Sequence, residues 1–95
     1  MSLTLQTAAN GHLTLNLNEM PDAFWHSLAD RLVNHHGFQR AGSPGFGFDE
    51  QIHPDFQCAD FNLAAGWDIW SGHYLLSDST AGDAFLHQLF DRLHT

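Results

Sequence analysis

The chain has 95 residues, 11 acidic against three basic ones, and all three basic residues are arginine. This length fits one domain spanning residues 1–95 and leaves no room for two. DNA, RNA and anionic lipid are bound mainly through lysine and arginine, so a formal charge of −8 argues against nucleic-acid and membrane-surface roles. A basic protein partner fits this charge, because opposite potentials speed encounter.

The redox and targeting signals are simple. Cys58 is the one cysteine of the sequence and so has no partner for an intramolecular disulfide. Residues 1–10 lack the basic start and long apolar run of a secretory signal, and no apolar run approaches the ~18 residues that span a bilayer. We therefore expect a cytoplasmic protein that does not associate with membranes.

A β-hairpin is predicted at the N-terminus, because leucines alternate with polar residues on both sides of Asn10-Gly11. A two-residue turn at Asn10-Gly11 would split these leucines between the two faces of the hairpin. A loop of three or five residues instead pairs Leu5 with Leu17 or Leu15 and places all the leucines on one side. We predict the longer loop.

Two amphipathic helices are predicted. The first covers residues 21–36 and ends at Gly37, and its apolar stripe contains Phe24, Trp25, Leu28 and Leu32. The second begins at Ser79 or Thr80, and its apolar stripe contains Phe85, Leu86, Leu89, Phe90 and Leu93.

Strand-like alternation fills the sequence between the helices. Four strands are predicted, at residues 38–41, 46–52, 57–64 and 67–77. His53-Pro54-Asp55 closes the second of them, and Gly66 marks the turn of the final hairpin. The resulting fold class is α+β, an antiparallel sheet of five to six strands in the order ββ-α-ββββ-α with two helices packed on one face.

Aromatic residues suggest a binding surface. The predicted strand 67–77 carries Trp67, Trp70 and Tyr74, which fall on both of its faces. With helices on one face only, one aromatic set meets solvent or a partner, unless residues 45–55 cover the second face. Tryptophan and tyrosine are enriched at interface hot spots. The acidic residues expected near them are Asp49, Glu50, Asp60 and Asp68.

The leading hypothesis is a non-enzymatic protein-interaction domain centred on these aromatic and acidic residues. The composition is that expected of an inhibitor or immunity-type protein that binds a basic partner. A homodimer is the commonest alternative form of such an interface.

The eight histidines raise a second hypothesis, a metal-binding protein. On the last helix, four candidate ligands for zinc, nickel or copper lie within about 80° of arc: Asp83, His87, Asp91 and His94. They suit a solvated polar edge better than a metal site, because the two histidines are two turns apart. His53 and His73 fall on a predicted loop and strand, where spacing assigns them no partner. Apart from such a metal, no cofactor is expected.

A third hypothesis is a small hydrolase whose cleft is completed by dimerisation. The sequence carries no Gly-x-Ser-x-Gly motif and no lysine for a phosphate-binding loop. Cys58 lies in a predicted strand, where a free cysteine usually behaves as a small apolar residue.

The first prediction concerns solubility. Protonation of the eight histidines offsets the formal −8, and the calculated isoelectric point is about 5.1. We expect turbidity to rise to a maximum near pH 5 as the solution is acidified, because charge repulsion between molecules is lost there. A solution that stays clear from about pH 7.5 to about pH 4.5 would contradict this prediction.

Overall fold

The computed structural model describes residues 2–18, 20–47, 50–70 and 72–94, with the backbone alone for Ser2, Phe46 and His94. Its elements are, in order, β1 (Ser2–Thr7), β2 (Leu13–Asn18), α1 (Asp22–Asn34), β3 (Gln39–Ala41), β4 (Gly45–Phe46), β5 (Glu50–Gln57), β6 (Asn62–Asp68), β7 (Gly72–Ser77) and α2 (Thr80–His94). The predicted α+β class and order of elements are confirmed.

The strands form one antiparallel sheet with the spatial order β1-β2-β7-β6-β5-β3. The two-residue β4 pairs with β5 alongside β3, so six strands lie side by side. Both helices pack on one face, as predicted, and we call this the inner face. We call the opposite one the open face.

The first hairpin has the predicted register. Leu5 pairs with Leu15 and Leu3 with Leu17, so the connection spans residues 8–12. Leu15 and Leu17 are fully buried on the inner face. The spacing of the leucines selects this loop because a shift of one residue would turn them all away from the helices.

Strand β5 is longer than predicted. Residues 53–55 were expected to end a strand, but β5 continues through Pro54 to Gln57. The pairing with β6 shifts register between His53 and Phe56, and a bulge of this kind accommodates a proline, which has no N–H to donate. The shift also brings His53 and Phe56 to the same face, although residues three apart in a regular strand face opposite ways.

The final hairpin is displaced along the chain from its predicted position. The predicted turn at Gly66 is wrong, because Gly66 lies within β6 and the chain reverses between Asp68 and Gly72, which pair. Gly72 has a φ of +68°, which suits a turn. Glycine is required at position 66 for a different reason, because a Cβ there would lie 2.5 Å from the hydroxyl oxygen of Tyr74.

Both helices end or begin as their sequences indicate. Gly37, with a φ of +74°, terminates α1, and the N–H of Phe38 donates to the carbonyl oxygen of Leu32 at 3.1 Å. Ser79 caps α2, because its Oγ accepts from the N–H of Gly82 at 3.1 Å. Within the described chain, neither helix has the length and apolarity needed to cross a membrane.

The core lies between the inner face and the helices. Burying a large apolar side chain contributes roughly 1.5–3 kcal/mol relative to leaving it exposed. The largest contributors to this layer are Leu15, Leu17, Trp25, Leu28, Leu32, Phe38, Phe56, Leu63, Leu75, Leu86 and Leu89.

The second prediction tests the packing of Gly66. Gly66→Ala places a methyl group 2.7 Å from the backbone oxygen of Gln51 and against the ring of Tyr74, so we expect a loss of about 1–3 kcal/mol in unfolding free energy. Gly45→Ala is the matched control, because its Cβ would meet Ile52 at an ordinary 3.7 Å. Urea denaturation measures both variants. Equal stability of the two would contradict the predicted close packing.

Candidate functional site

Three of the predicted partner-binding residues meet on the open face. Glu50 on β5 pairs directly with Asp68 on β6, and Tyr74 on β7 lies beside them. Burial of the ring raises the pKa of Tyr74, and the nearby carboxylates of Asp68 and Glu50 raise it further. A depression of about 280 Å³ adjoins Tyr74 and Asp68 and extends toward the first hairpin.

Exposed apolar side chains surround this acidic pair. Trp70 is 77% exposed and Ile69 54% exposed, both in the turn between β6 and β7. The N–H of Trp70 donates to Oδ1 of Asp68 at 2.9 Å, which ties the turn to the acidic pair. Ile52, two residues along β5 from Glu50, is 56% exposed. The acidic–aromatic surface consists of Glu50, Ile52, Asp68, Ile69, Trp70 and Tyr74.

Two of the remaining predicted residues, Trp67 and Asp60, are not on this surface. Trp67, Trp70 and Tyr74 were predicted to share one strand, and this prediction is wrong. The chain turns at Ile69 and Trp70 between β6 and β7, and Trp67 faces inward from β6. Asp60 lies in the turn at the other end of β6, about 20 Å away along the strand. Asp49 lies outside the described residues.

The four predicted metal ligands on α2 are engaged with other residues or lie outside the description. Asp83 accepts from the backbone N–H of Leu13 at 2.8 Å and contacts Nδ1 of His12 at 2.9 Å, which ties the first hairpin to α2. His87 reaches Asp91 at 3.4 Å on the exposed side of the helix. The side chain of His94 is not described.

Among the described residues, no three histidine, cysteine or acidic side chains are placed to hold a metal ion. The hypothesis of a metal-binding protein stays a prediction.

A second site, which the sequence did not predict, lies on the inner face. Nε2 of His73 is 3.0 Å from Oδ1 of Asp22, and Nδ1 of His73 is 3.1 Å from Nε2 of His53. The three side chains come from α1, β5 and β7 and form a continuous hydrogen-bonded chain. His73, at its centre, is only 7% exposed.

The acidic end of this chain fixes the proton positions when both rings are neutral. Ionised Asp22 only accepts, so His73 carries its proton on Nε2 and presents Nδ1 as an acceptor. His53 must then donate from Nε2, which leaves its Nδ1 with a free lone pair. The arrangement follows the logic of a catalytic triad, in which a carboxylate orients one imidazole.

Packing holds the two rings in place. Trp25 stacks against both, with ring centroids 5.1 Å apart in each case. His53 and His73 lie on either side of β6, where the inward-facing partner of His53 is Ala65. The small alanine side chain leaves room for the two rings to meet across the strand.

The environment shifts the acid–base equilibria of two members. Burial lowers the pKa of His53 to about 4, and the neighbouring charges of His73, Arg40 and His26 act in the same direction. The hydrogen bond from His73 lowers the pKa of Asp22. Both effects favour an ionised carboxylate on Asp22 and a neutral ring on His53 near neutral pH.

The chain borders a depression of about 250 Å³, which we call the imidazole pocket. Its walls carry three imidazole rings, two indole rings, an amide and a carboxylate. The lining residues are Asp22, Trp25, His26, Gln51, His53, Trp67 and His73.

Comparisons with family models, curated proteins and solved structures find no match for this chain. The geometry of the acidic–aromatic surface and of the imidazole pocket is therefore the basis for proposing a function.

The third prediction concerns acid stability. Because His53 has a pKa near 4 in the folded chain and an ordinary value near 6.5 when unfolded, the unfolded state binds more protons between these pH values. Stability is full above about pH 6.5 and falls as the pH drops toward 4. Asp22 acts in the same direction, since its contribution is lost as pH falls through its lowered pKa.

His53→Gln keeps a donor for His73 but cannot titrate. We expect this variant to lose about 1–2 kcal/mol less unfolding free energy than wild type as the pH falls from about 6.5 to about 4. This figure is smaller than the full pKa shift implies, because the ring is partly open to solvent. The exposed His87→Gln is the control. Urea unfolding at several pH values measures the effect, and identical pH profiles for wild type and His53→Gln would refute it.

Proposed function

We propose that this protein is an interaction domain that binds a basic segment of another protein at the acidic–aromatic surface, without catalysis at that surface. The observation that carries the proposal is the 77% exposure of Trp70 directly beside the cross-strand pair of Glu50 and Asp68. We further propose that this binding takes place in the cytoplasm.

The acidic pair favours a cationic partner. Like charges placed directly opposite each other on neighbouring strands destabilise a sheet, and a lysine or arginine side chain seated near both carboxylates relieves this repulsion. The formal charge of −8 also attracts a basic partner over distance, which raises the association rate.

The apolar side chains supply the short-range contacts. Trp70, Ile69 and Ile52 are the most exposed large apolar residues in the described part of the chain, and they all flank the acidic pair. Tryptophan is enriched among the few residues that carry most of the binding energy in interfaces. Acidic residues that steer a partner and an aromatic anchor that holds it make a coherent binding surface.

A second copy of the chain fits this surface less well than a basic segment does. Two copies would each bring a formal charge of −8 and the same acidic pair to the interface. Association of this kind has to overcome like-charge repulsion.

The fourth prediction uses a decapeptide of alternating arginine and leucine as the probe. We expect saturable binding that weakens as salt is added, and a loss of affinity of about tenfold or more in Trp70→Ala. Because Trp70 is exposed, Trp70→Ala should unfold at the same urea concentration as wild type. Isothermal titration calorimetry measures the binding.

Two matched controls separate this surface from general effects. Val33→Ala removes another exposed apolar side chain from α1, and Asp91→Asn removes the same charge as Glu50→Gln but from α2. Equal losses in Glu50→Gln and Asp91→Asn would reduce the effect to net charge and overturn the proposal. So would self-association in sedimentation equilibrium that Trp70→Ala abolishes, since the occupant would then be a second copy.

A further inference from the structure

We propose that the imidazole pocket is a reactive site for small carbonyl compounds, in which His53 attacks an activated ester while His73 and Asp22 position and polarise it. This proposal does not depend on the acidic–aromatic surface, which lies on the other face of the sheet.

The geometry supplies an oriented imidazole. The sequence of contacts, Asp22 to His73 at 3.0 Å and His73 to His53 at 3.1 Å, orients both rings and leaves Nδ1 of His53 as the acceptor at the end of the chain. When His53 is acylated, its Nε2 proton passes to Nδ1 of His73, and the positive charge then lies on the ring that faces the carboxylate of Asp22. Trp25 holds both rings at fixed spacing, so little reorganisation is required.

The reactive nitrogen is within reach of a ligand. Nδ1 of His53 makes no hydrogen bond to the described residues. Among these residues, Oδ1 of Asn62 is the one side-chain polar atom that is both fully buried and without a partner, so the unpaired Nδ1 of His53 is not fully buried. Nδ1 is therefore in contact with solvent. His53 also lines the pocket, whose volume of about 250 Å³ suits a compact molecule rather than a drug-sized one.

The walls of the pocket suit a polar, partly flat ligand. Gln51 offers an amide on one side, and Trp67 offers an indole ring on the strand between the two histidines. A purely structural network has its donors and acceptors paired within the core, whereas this one ends at an accessible imidazole on a pocket wall.

Nδ1 of His53 attacks the carbonyl carbon of the ester, a C–N bond forms, the ester C–O bond breaks, and the alcohol leaves as its anion. The proton on Nε2 of His53 moves to Nδ1 of His73, which leaves a neutral acylimidazole and a protonated His73 beside Asp22. Water then hydrolyses the acylimidazole to the carboxylic acid and the neutral ring of His53. The extra proton on His73 is released and neutralises the alcohol anion, so both histidines return to their neutral forms.

The fifth prediction uses p-nitrophenyl acetate as the probe between about pH 5 and about pH 8. Nδ1 of His53 has a free lone pair only while His73 is neutral, because a protonated His73 would donate from Nδ1 and leave the proton of His53 on its own Nδ1. We therefore expect the rate to rise with pH. The charged and titratable groups near His53 are Asp22 and His26 of α1, Arg40 of β3 and His73 of β7. Release of p-nitrophenolate, followed as total p-nitrophenol after the pH is raised, gives the rate.

We expect His53→Gln to lower the rate at about pH 7.5 by about tenfold, whereas the matched His87→Gln leaves it unchanged. Asp22→Asn should lower kcat by about threefold with little change in KM, and Asp22→Glu should restore part of the loss. Circular dichroism verifies that Asp22→Asn folds, as expected for a side chain that is 82% exposed.

Two results would overturn the proposal. One is a rate in His53→Gln equal to that of wild type across the pH range. The other is a loss of rate in His87→Gln equal to that in His53→Gln, because exposed histidines would then account for the reaction. Loss of peptide binding in Trp70→Ala with normal ester hydrolysis, or the reverse, distinguishes this proposal from the interaction function.

Discussion

Both helices cover the same face of the sheet, and this one-sided coverage determines what each part of the molecule can do. The inner face must be apolar, because it packs against Trp25, Leu28 and Leu32 of α1 and against the buried stripe of α2. The open face has no helix to satisfy. It can therefore keep two carboxylates side by side and an exposed tryptophan at its end, a combination that a packed face would not tolerate.

The two sites lie back to back through the thickness of the sheet. Glu50 and Asp68 face outward, whereas their chain neighbours Gln51 and Trp67 face inward and line the imidazole pocket. Alternation along β5 and β6 thus places an acidic surface and an imidazole cluster at one end of the molecule. Asp22, His73 and His53 are stable in a largely apolar layer because both ring nitrogens of the buried His73 are hydrogen-bonded.

Local patterns could be predicted from the sequence, and long-range contacts could not. The leucine spacing fixed the register of the first hairpin, since only one family of loops puts Leu5 and Leu15 on the same side. The sequence does not distinguish the roles of Gly66 and Gly72. Gly66 leaves space for the side chain of Tyr74, whereas Gly72 adopts a positive φ in a turn, and this difference is visible only in the packed structure. The bulge at Pro54 was missed because proline is the usual end of a strand.

The imidazole pocket shows the same limit for a functional site. Asp22 alone suggests only a favourable charge at the start of a helix, and His53 and His73 are 20 residues apart with no motif between them. Their meeting depends on the strand order, on the bulge and on the small side chain of Ala65, none of which spacing reveals. The acidic–aromatic surface was partly predictable, because Glu50, Asp68, Trp70 and Tyr74 were identified even though the strand assignment was wrong.

We propose that the open face binds a cationic segment at the turn between β6 and β7. The most direct test is a two-dimensional ¹H–¹⁵N NMR titration of the labelled protein with the arginine–leucine decapeptide. We predict the largest shift changes at Glu50, Ile52, Asp68, Trp70 and Tyr74, with the amides of α2 unaffected. Shift changes concentrated on the helices, or none at these five residues while the peptide is bound, would contradict the account.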